Sequence, residues 1–424
     1  MFITSTSNAY WQPGKISNEK GFELSFGEEQ QTIRGFGCCF SELGAKALNK
    51  LSPEDKKNVL DELFNSDGGA FNYCRTPIGA SDFALDYYSY NDNEGDFEME
   101  KFSIERDQKL LLPLIKEGVK RRDDMQMFAS PWCPPTWLKT HNTYSFGVFN
   151  RTEKYLKAYA LYFKKYVQAY HKEGIPLIHI HPQNEPCSTQ KFPSCEWRGD
   201  WLADFVGDYL GPALEGENVD IFFGTINGPE SDSRYSWTRY CDYLGYAMQE
   251  SSARKYIKGV GYQWAGRNAL SQTHEDYPNL EIIQTESQCG DGQNTWEHTM
   301  FIYDLARIYF RHGTTAYVYW NIALEEDALS TWGWKQNSLI TVKDGKAILN
   351  PEYYLMKHFS HFVKRGAKYV KMNGEFSSCC ISFINPDGSK VVLANNPYKT
   401  DKIITIEDKS YILPSDSIST ILID

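Results

Sequence analysis

The chain has 424 residues, enough for one large domain with a smaller one beside it. Hydrophobic residues make up 41% of the chain, which excludes wholesale disorder. The formal net charge is −11 and there is no basic tract, which argues against nucleic acid and anionic membranes as partners.

The sequence predicts neither export nor a membrane anchor. Residues Met1–Lys15 have no basic n-region and no apolar h-region, so they do not resemble a secretion signal. No run approaches the roughly 18 apolar residues that a membrane span needs. The ten cysteines form no C-x-x-C pair. We therefore predict a cytoplasmic chain with reduced thiols and no membrane insertion, while its oligomeric state stays unknown.

Short β-rich runs alternate with longer amphipathic stretches through the first 330 or so residues. The predicted strands are Thr32–Cys38, Phe71–Ile78, Met125–Ser130, Leu177–His181, Val219–Thr225, Tyr256–Gln263, Leu280–Thr285 and Ala316–Trp320. The predicted helices include Ser52–Phe64, Ile104–Arg121, Glu153–Lys172, Trp201–Leu214 and Trp296–Arg311. Eight strand–helix units predict an α/β fold, a (β/α)8 TIM barrel. A doubly wound open sheet usually carries a Gly-rich phosphate loop after an early strand, and none is present.

The pattern changes near the end of the chain, after a predicted helix around Pro351–Lys364. Short alternating strands follow, at Lys368–Met372, Cys379–Ile384, Val391–Asn395, Asp401–Glu407 and Ile418–Ile423. The early stretch Gly21–Phe26 is also strand-like. We predict a small antiparallel β-sandwich side domain built from both chain ends, with residues 1–30 and 366–424 flanking a catalytic barrel at 31–365.

Catalytic groups of such barrels come from the C-terminal ends of the strands. Glu185 follows predicted strand four and Glu286 follows predicted strand seven, on opposite sides of a narrow mouth. Glycoside cleavage needs two carboxyl groups, one kept protonated as the acid and one kept ionised. Two long glutamate side chains can approach to the roughly 5–5.5 Å that a retaining mechanism requires. The pair therefore predicts a retaining glycosidase.

The order of motifs along the chain resembles glycoside hydrolase family 30, a clan A family that includes glucosylceramidases, β-glucosidases, β-xylosidases and endo-β-1,6-glucanases. The matching segments are Gly35–Gly37, Phe40–Glu42, Arg75–Gly79, Ser81–Phe83, Tyr88–Tyr90, Ser130–Thr140, Gln183–Pro186, Thr285–Glu286, Trp320–Leu324 and Tyr354–Gly366. The Asn-Glu-Pro motif alone occurs across the clan, but all of these segments in one order are specific.

The resemblance implies Glu185 as the acid/base, Glu286 as the nucleophile and no cofactor or metal. The implied substrate contacts are Asn184 to the sugar 2-hydroxyl, Asp82 and Trp132 to the remote hydroxyls, Trp320 beneath the ring, and Tyr262, Trp264 and Asn337 around it. Arg34 or Arg75 is expected to keep the nucleophile ionised through a charge-assisted hydrogen bond.

Three segments depart from the family pattern. The chain has Tyr262-Gln263-Trp264 where His-Trp-Tyr is common, so the tyrosine that orients the nucleophile is either Tyr262 or absent. The loop Cys187–Trp197 is short and carries Phe192, and an acidic segment, Glu325–Asp327, follows strand eight. These departures affect the expected sugar and leaving group and leave the reaction type unchanged.

The predicted substrate is a small-molecule or oligosaccharide β-glycoside, cleaved in the exo mode and β-glucoside-like or β-xyloside-like. An endo-β-1,6-glucanase is the alternative within the family. Two further hypotheses are a metal-dependent hydrolase using His179 and His181, and a non-catalytic sugar-binding protein on the same scaffold.

Overall fold

The computed structural model describes residues 1–228 and 240–424. The chain opens with strands that lie outside the barrel: β1 Phe2–Thr6, β2 Ala9–Pro13, β3 Lys15–Ser17 and β4 Phe22–Thr32. Of these the sequence predicted only part of β4. The first three are short, and β2 and β3 are mostly exposed, so none of them shows the buried alternation that identifies a strand.

Eight parallel strands then close into a barrel. They are β5 Gly35–Cys39, β6 Tyr73–Ile78, β7 Gln126–Pro131, β8 Leu177–Ile180, β9 Asp220–Ile226, β10 Ile257–Gln263, β11 Glu281–Glu286 and β12 Thr314–Asn321. Neighbours in sequence are neighbours in the barrel, and β12 pairs with β5 to close it. The predicted TIM barrel is confirmed, with strand ends that differ by a few residues at most.

The helices pack around the barrel and bury one apolar face each. They are α1 Glu42–Leu48, α2 Pro53–Phe64, α3 Glu105–Lys109, α4 Leu111–Arg121, α5 Glu153–Lys172, α6 Gly199–Phe205, α7 Gly211–Leu214, α8 Leu244–Gln249, α9 Leu270–Asp276, α10 Trp296–Arg311 and α11 Pro351–Ser360. A π-helical turn, Val206–Leu210, joins α6 to α7.

One predicted helix, Ile104–Arg121, is divided into α3 and α4 at Leu110. Pro113 explains the division, because its ring would clash with the carbonyl of Lys109 four residues earlier in a continuous helix. Helix α2 begins as the sequence predicts: the Ser52 side chain accepts a hydrogen bond from the Asp55 backbone, and Pro53 occupies the first helical position.

A three-stranded sheet follows the last barrel strand: β13 Ala323–Glu325, β14 Ile340–Lys343 and β15 Lys346–Leu349. The sequence did not predict it. Strands β13 and β14 are paired in parallel, so residues 326–339 form a loop that is anchored at both ends. This loop returns over the mouth of the barrel.

The chain ends form the predicted side domain. Its remaining strands are β16 Lys368–Asn373, β17 Cys380–Ile384, β18 Lys390–Asn396, β19 Lys402–Ile406, β20 Lys409–Leu413 and β21 Ser417–Ile423. The order is β2-β1-β21-β18-β17-β16-β4-β19-β20-β3, a ten-stranded sheet. Strand β4 pairs with β16 and with β19, so both ends of the chain contribute to one sheet, as predicted.

The side domain packs against the barrel through helix α11. His358 on that helix is buried; its Nε2 contacts Ser5 Oγ at 2.8 Å and its Nδ1 contacts Thr420 Oγ1 at 2.8 Å. Burial lowers the pKa of His358 to about 3, so the imidazole is neutral at ordinary pH. One uncharged side chain thus links the barrel to strands from both ends of the chain.

Within the part of the chain that the structure describes, no helix combines the length and apolar content needed to cross a bilayer. All ten cysteines are free thiols, and most are buried.

Candidate active site

The guanidinium of Arg75 lies at the centre of the polar residues inside the barrel mouth. Arg75 belongs to β6 and is fully buried. It donates to Glu286 Oε2 at 2.7 Å, to Asn184 Oδ1 at 2.6 Å and to Ser130 Oγ at 2.7 Å. A buried charge is tolerated only when it is paired and hydrogen-bonded. These bonds join barrel strands two, three, four and seven and fix the orientation of the acceptors.

Glu286 ends β11 and is buried among these groups, with 7% of its surface exposed. Burial raises the pKa of its carboxyl, and the neighbouring Arg75 guanidinium acts in the opposite direction. Arg75 and Gln263 both donate to Oε2, and neither contact involves Oε1. Among residues 1–228 and 240–424, the carboxylate is therefore held through Oε2.

Gln263 is a site residue that the sequence analysis did not select. It ends β10, and its Nε2 donates to Glu286 Oε2 at 3.0 Å and to Asn184 Oδ1 at 2.9 Å. The hydroxyl of its neighbour Tyr262, which the sequence predicted as a substrate contact, lies 2.8 Å from Thr273 Oγ1 in helix α9. Successive strand residues face opposite sides, so only one of the two can face the interior. That alternation was the available signal for Gln263.

We expect Gln263→Leu to lower kcat/KM about 10- to 100-fold, because it removes a hydrogen bond to a charged carboxylate. Tyr262→Phe is the matched control: it removes the hydroxyl that contacts Thr273 in helix α9 and should change stability without changing kcat/KM. Steady-state kinetics on an activated aryl glycoside, with thermal unfolding of both variants, separates the two effects. Equal kinetic losses in both variants would contradict the assignment.

Asn184 precedes Glu185 in the turn after β8. Its Oδ1 accepts hydrogen bonds from Arg75, Gln263 and Thr225 Oγ1, at 2.6, 2.9 and 3.1 Å. Three donors on one oxygen fix the orientation of the amide. The Nδ2 group is therefore the side of Asn184 that can donate to a ligand.

Glu185 lies next to this network in an unusual backbone conformation, with φ at +50°. A non-glycine residue in the left-handed region costs about 1–3 kcal/mol and is found most often at functional sites. The conformation is held by the Glu185 amide, which donates to the Thr225 carbonyl at 3.0 Å, and by its carbonyl, which accepts from Ser188 N at 2.9 Å. The side chain is half-buried.

The buried thiol of Cys289 lies near three carboxyl groups of the mouth. Burial raises its pKa, and the negative charges of Glu286, Asp82 and Glu185 raise it further. All three carboxyl groups therefore lie close enough to Cys289 to act on its thiol.

Asp82 follows β6 and is 94% buried. Burial raises the pKa of Asp82 to about 8, with a further contribution from the charge of Glu286. Trp132 and Trp320 stack on each other with ring centroids 5.2 Å apart, and the Arg75 guanidinium lies 4.5 Å from the Trp132 ring. The structure thus brings Asp82, Trp132 and Trp320 together with Glu286.

Two other predicted residues lie elsewhere. Arg34 donates to Glu281 at 2.6 and 2.5 Å at the start of β11, which is the opposite end of the barrel from Glu286. Asn337 is buried; its Oδ1 accepts from Gly292 N at 2.8 Å and its Nδ2 donates to Glu352 Oε1 at 2.7 Å. Arg75 rather than Arg34 is therefore the charged partner of Glu286, and the amide of Asn337 is used to hold a loop.

Trp264 begins the turn after β10 and is half-buried against the barrel core. Its role in substrate binding stays a prediction.

The paired histidines of β8 and its end are packed inside the barrel. His179 Nδ1 contacts the Tyr73 hydroxyl at 2.8 Å and its ring stacks on Phe222 at 3.8 Å. His181 is fully buried, and burial lowers the pKa of both imidazoles. In residues 1–228 and 240–424, no group of three or more His, Cys, Asp or Glu side chains is placed to hold a metal ion.

Comparison with known proteins agrees with the fold. The family model "Glycosyl hydrolase family 30 TIM-barrel domain" matches residues 33–363, and "Glycosyl hydrolase family 30 beta sandwich domain" matches residues 366–421.

Two relatives and one solved structure illustrate the similarity. A putative glucosylceramidase 2 of Caenorhabditis elegans is 30% identical over 404 residues, which cover 88% of this chain and 76% of that protein. An endo-1,6-beta-D-glucanase of Trichoderma harzianum is 26% identical over 420 residues, covering 92% and 84%. The solved structure, an endo-beta1,6-glucanase, is 26% identical with a TM-score of 0.86 and covers 99% of this chain and 98% of that one.

Proposed function

The chain belongs to glycosyl hydrolase family 30, and from this premise we propose that it is an exo-acting retaining β-glycosidase in which Glu286 is the nucleophile and Glu185 the acid/base. Its substrate is a β-glycoside that is β-glucoside-like or β-xyloside-like. The observation that carries the assignment is the Arg75–Glu286–Asn184 network, with Glu185 directly beside it.

In the first step the free oxygen of Glu286 attacks the anomeric carbon as the bond to the leaving oxygen breaks. Glu185 donates its proton to that oxygen, so the leaving group departs as a neutral alcohol. Burial of Glu286 would favour its protonated, unreactive form, and the guanidinium of Arg75 opposes this. The product of the step is a covalent glycosyl–Glu286 intermediate.

In the second step a water molecule attacks the same carbon. Glu185, now a carboxylate, takes the proton from that water, and the bond to Glu286 breaks. Two inversions at one carbon give net retention of configuration. In this proposal Asn184 Nδ2 donates to the sugar 2-hydroxyl, an interaction that strengthens in the transition state. The hydrogen bond from Arg75 to Asn184 Oδ1 supports this, because it leaves Nδ2 as the donor side of the amide.

The aromatic floor supports a sugar in this position. Trp132 and Trp320 present a stacked pair next to the buried Asp82. Flat amphipathic rings suit the apolar faces of a sugar, while a carboxyl group reads its hydroxyls. Endo cleavage of β-1,6-glucan is the second candidate, because a relative and a solved structure with this activity in their names match nearly the whole chain.

The function is tested with Glu185→Ala on a panel of aryl β-glycosides. Loss of general acid catalysis should lower kcat/KM about 10²- to 10⁴-fold for poor leaving groups and far less for activated ones. Azide should restore turnover and give a β-glycosyl azide, because the glycosyl–enzyme still forms and the small anion fills the space of the missing carboxylate. The product is identified by NMR.

Two results would contradict the proposal. One is a Glu185→Ala variant that hydrolyses unactivated glycosides like the wild type. The other is an α-glycosyl azide as the rescued product. Incubation of the wild type with a chelator is the control for the metal-dependent alternative, in which activity would be lost. Sugar affinity without turnover would favour a binding protein.

A further inference from the structure

Two buried polar atoms beside the proposed sugar site lack a hydrogen-bond partner among the described residues. They are Asp82 Oδ1 and the indole nitrogen of Trp332, Nε1. The Trp332 indole lies close enough to the Asp82 carboxyl to lower the pKa that burial raises, but without the geometry of a hydrogen bond to Asp82 Oδ1. One atom is an acceptor and the other a donor. A buried polar group left unpaired is costly, so the pair is suited to a ligand that satisfies both.

Trp332 reaches this position because its loop is tied to the loop that carries Asp82. The Thr331 amide and hydroxyl both donate to the Asp82 carbonyl, at 2.8 and 3.2 Å. Trp332 lies in the anchored loop 326–339 after the last barrel strand. The position of its indole relative to Asp82 is therefore set by backbone contacts.

The loop that follows Glu185 reaches the same tryptophan from across the mouth. The Phe192 ring lies 5.6 Å from the Trp332 ring, and Lys191 Nζ lies 4.6 Å from its centroid. Phe192 also packs on the cluster that contains Trp132 and Trp320. The three residues Lys191, Phe192 and Trp332 form a wall beside Asp82, which we call the end wall.

The orientation of the bound sugar determines which of its substituents face the end wall. Its anomeric carbon must lie between the two glutamates, so the opposite side of the ring, with the C4 and C6 substituents, points to Asp82. This step rests on the function proposed above. A free hydroxyl can donate to Asp82 Oδ1 and accept from Trp332 Nε1 at once, whereas a glycosidic oxygen has no proton to donate.

We propose that Trp332, acting with Asp82, is a specificity-determining residue that reads a free hydroxyl at the non-reducing end of the bound sugar. The end wall then closes the site beyond that hydroxyl. The enzyme removes single sugars from chain ends, and Trp332 is the residue that distinguishes a chain end from an internal unit.

The first arm of the test uses Trp332→Phe with aryl β-glucoside and its 4-deoxy and 6-deoxy analogues. The variant keeps an aromatic ring and loses the N–H. We expect kcat/KM to fall about 3- to 10-fold on the parent glycoside. On the deoxy analogue that lacks the recognised hydroxyl, wild type and variant should be equal. Trp334→Phe is the matched control: the Trp334 ring lies 4.8 Å from the Trp332 ring, so phenylalanine keeps an aromatic ring there, and the lost N–H is not one of the buried atoms without a partner. It should change neither kcat/KM on the parent glycoside nor the ratio between parent and deoxy analogue.

The second arm uses a β-linked oligosaccharide with a 4,6-O-ethylidene cap on its non-reducing end. Wild type should cleave it at less than a hundredth of the rate of the uncapped chain, while Trp332→Ala combined with Phe192→Ala should gain activity on it. Products are separated by chromatography. Circular dichroism of each variant reports folding.

The outcomes separate the two proposals. Wild-type cleavage of the capped chain at the uncapped rate, or an equal loss by Trp332→Phe on all three aryl glycosides, would overturn the role of Trp332 while retaining hydrolysis stands. Absence of wild-type turnover on every glycoside would count against the proposed function itself.

Discussion

Glu286→Ala is expected to abolish turnover, with kcat falling on the order of 10⁴- to 10⁶-fold. The covalent step has no substitute, because Glu286 is the buried carboxylate that both Arg75 and Gln263 hold at the centre of the mouth. Unlike the acid/base variant, this variant should be inactive even on activated aryl glycosides, since no intermediate can form.

The measurement combines steady-state kinetics with labelling by a 2-deoxy-2-fluoro aryl glycoside. Wild type should gain the mass of one sugar, located on the peptide that contains Glu286, and the variant should gain none. Glu281→Ala is the matched control, because Glu281 lies at the other end of the same strand and pairs with Arg34. A label on another residue, or a Glu286→Ala variant that still forms the adduct, would refute the assignment.

Arg75→Met is expected to lower both stability and activity. It leaves the buried Glu286 carboxylate and the Asn184 and Ser130 oxygens without their charged donor, and breaking a buried pair in this way costs about 3–5 kcal/mol. It also removes the charge that counters the effect of burial on the Glu286 pKa, so that pKa should rise. Because the nucleophile must be ionised, the acid limb of the kcat/KM profile should move to higher pH.

Denaturant unfolding gives the stability change, and a pH–rate profile of the folded fraction gives the shift. Arg34→Met is the matched control: its pair with Glu281 is partly exposed, so it should cost no more than about 1 kcal/mol and leave the pH profile unchanged. If Arg75→Met unfolds entirely, Arg75→Lys keeps a charge without the planar fork and can be profiled instead. An unmoved acid limb in a folded Arg75 variant would contradict the role assigned to it.

The sequence was sufficient to predict the barrel because its strands are continuous apolar runs between regular helices. Strand β8, for example, begins at the predicted Leu177 and is bounded by Gly174 and Pro176 on one side. The edge strands of the side domain were harder to predict. Strand β2 is short and mostly exposed, and β20 follows β19 after a tight turn. Neither β2 nor β20 therefore stands out as a separate strand by its hydrophobic alternation.

The site residues also divide into those that the sequence predicts and those that it does not. Glu185, Glu286 and Asn184 occur in recognisable motifs at strand ends, so their proximity followed from topology. Arg34 was a plausible partner only because the predicted strand began too early; β5 begins at Gly35, which leaves Arg34 at the wrong end. Choosing Gln263 over Tyr262 depends on which neighbour faces inward, and a shift of one residue in register reverses that choice.

The positions of the Asn337 and Trp332 side chains depend on long-range strand pairing. Both lie in or beside a loop whose course is determined by the unpredicted pairing of β13 with β14. No local pattern indicates that Asn337 turns toward Glu352 or that Trp332 turns toward Asp82. Long-range pairing of this kind is outside what spacing and composition can predict.

The pairing of β4 with β16 also has a consequence for synthesis of the chain. Thr32 and Lys368 are 336 residues apart, so at ribosomal rates of roughly 5–20 residues per second β4 waits tens of seconds for its partner. An unpaired apolar strand would meanwhile invite association with other nascent chains. Strand β4 instead carries the polar run Gly27–Thr32, with two glutamates and two glutamines. This polar composition disfavours such association during the interval before its partner strand emerges.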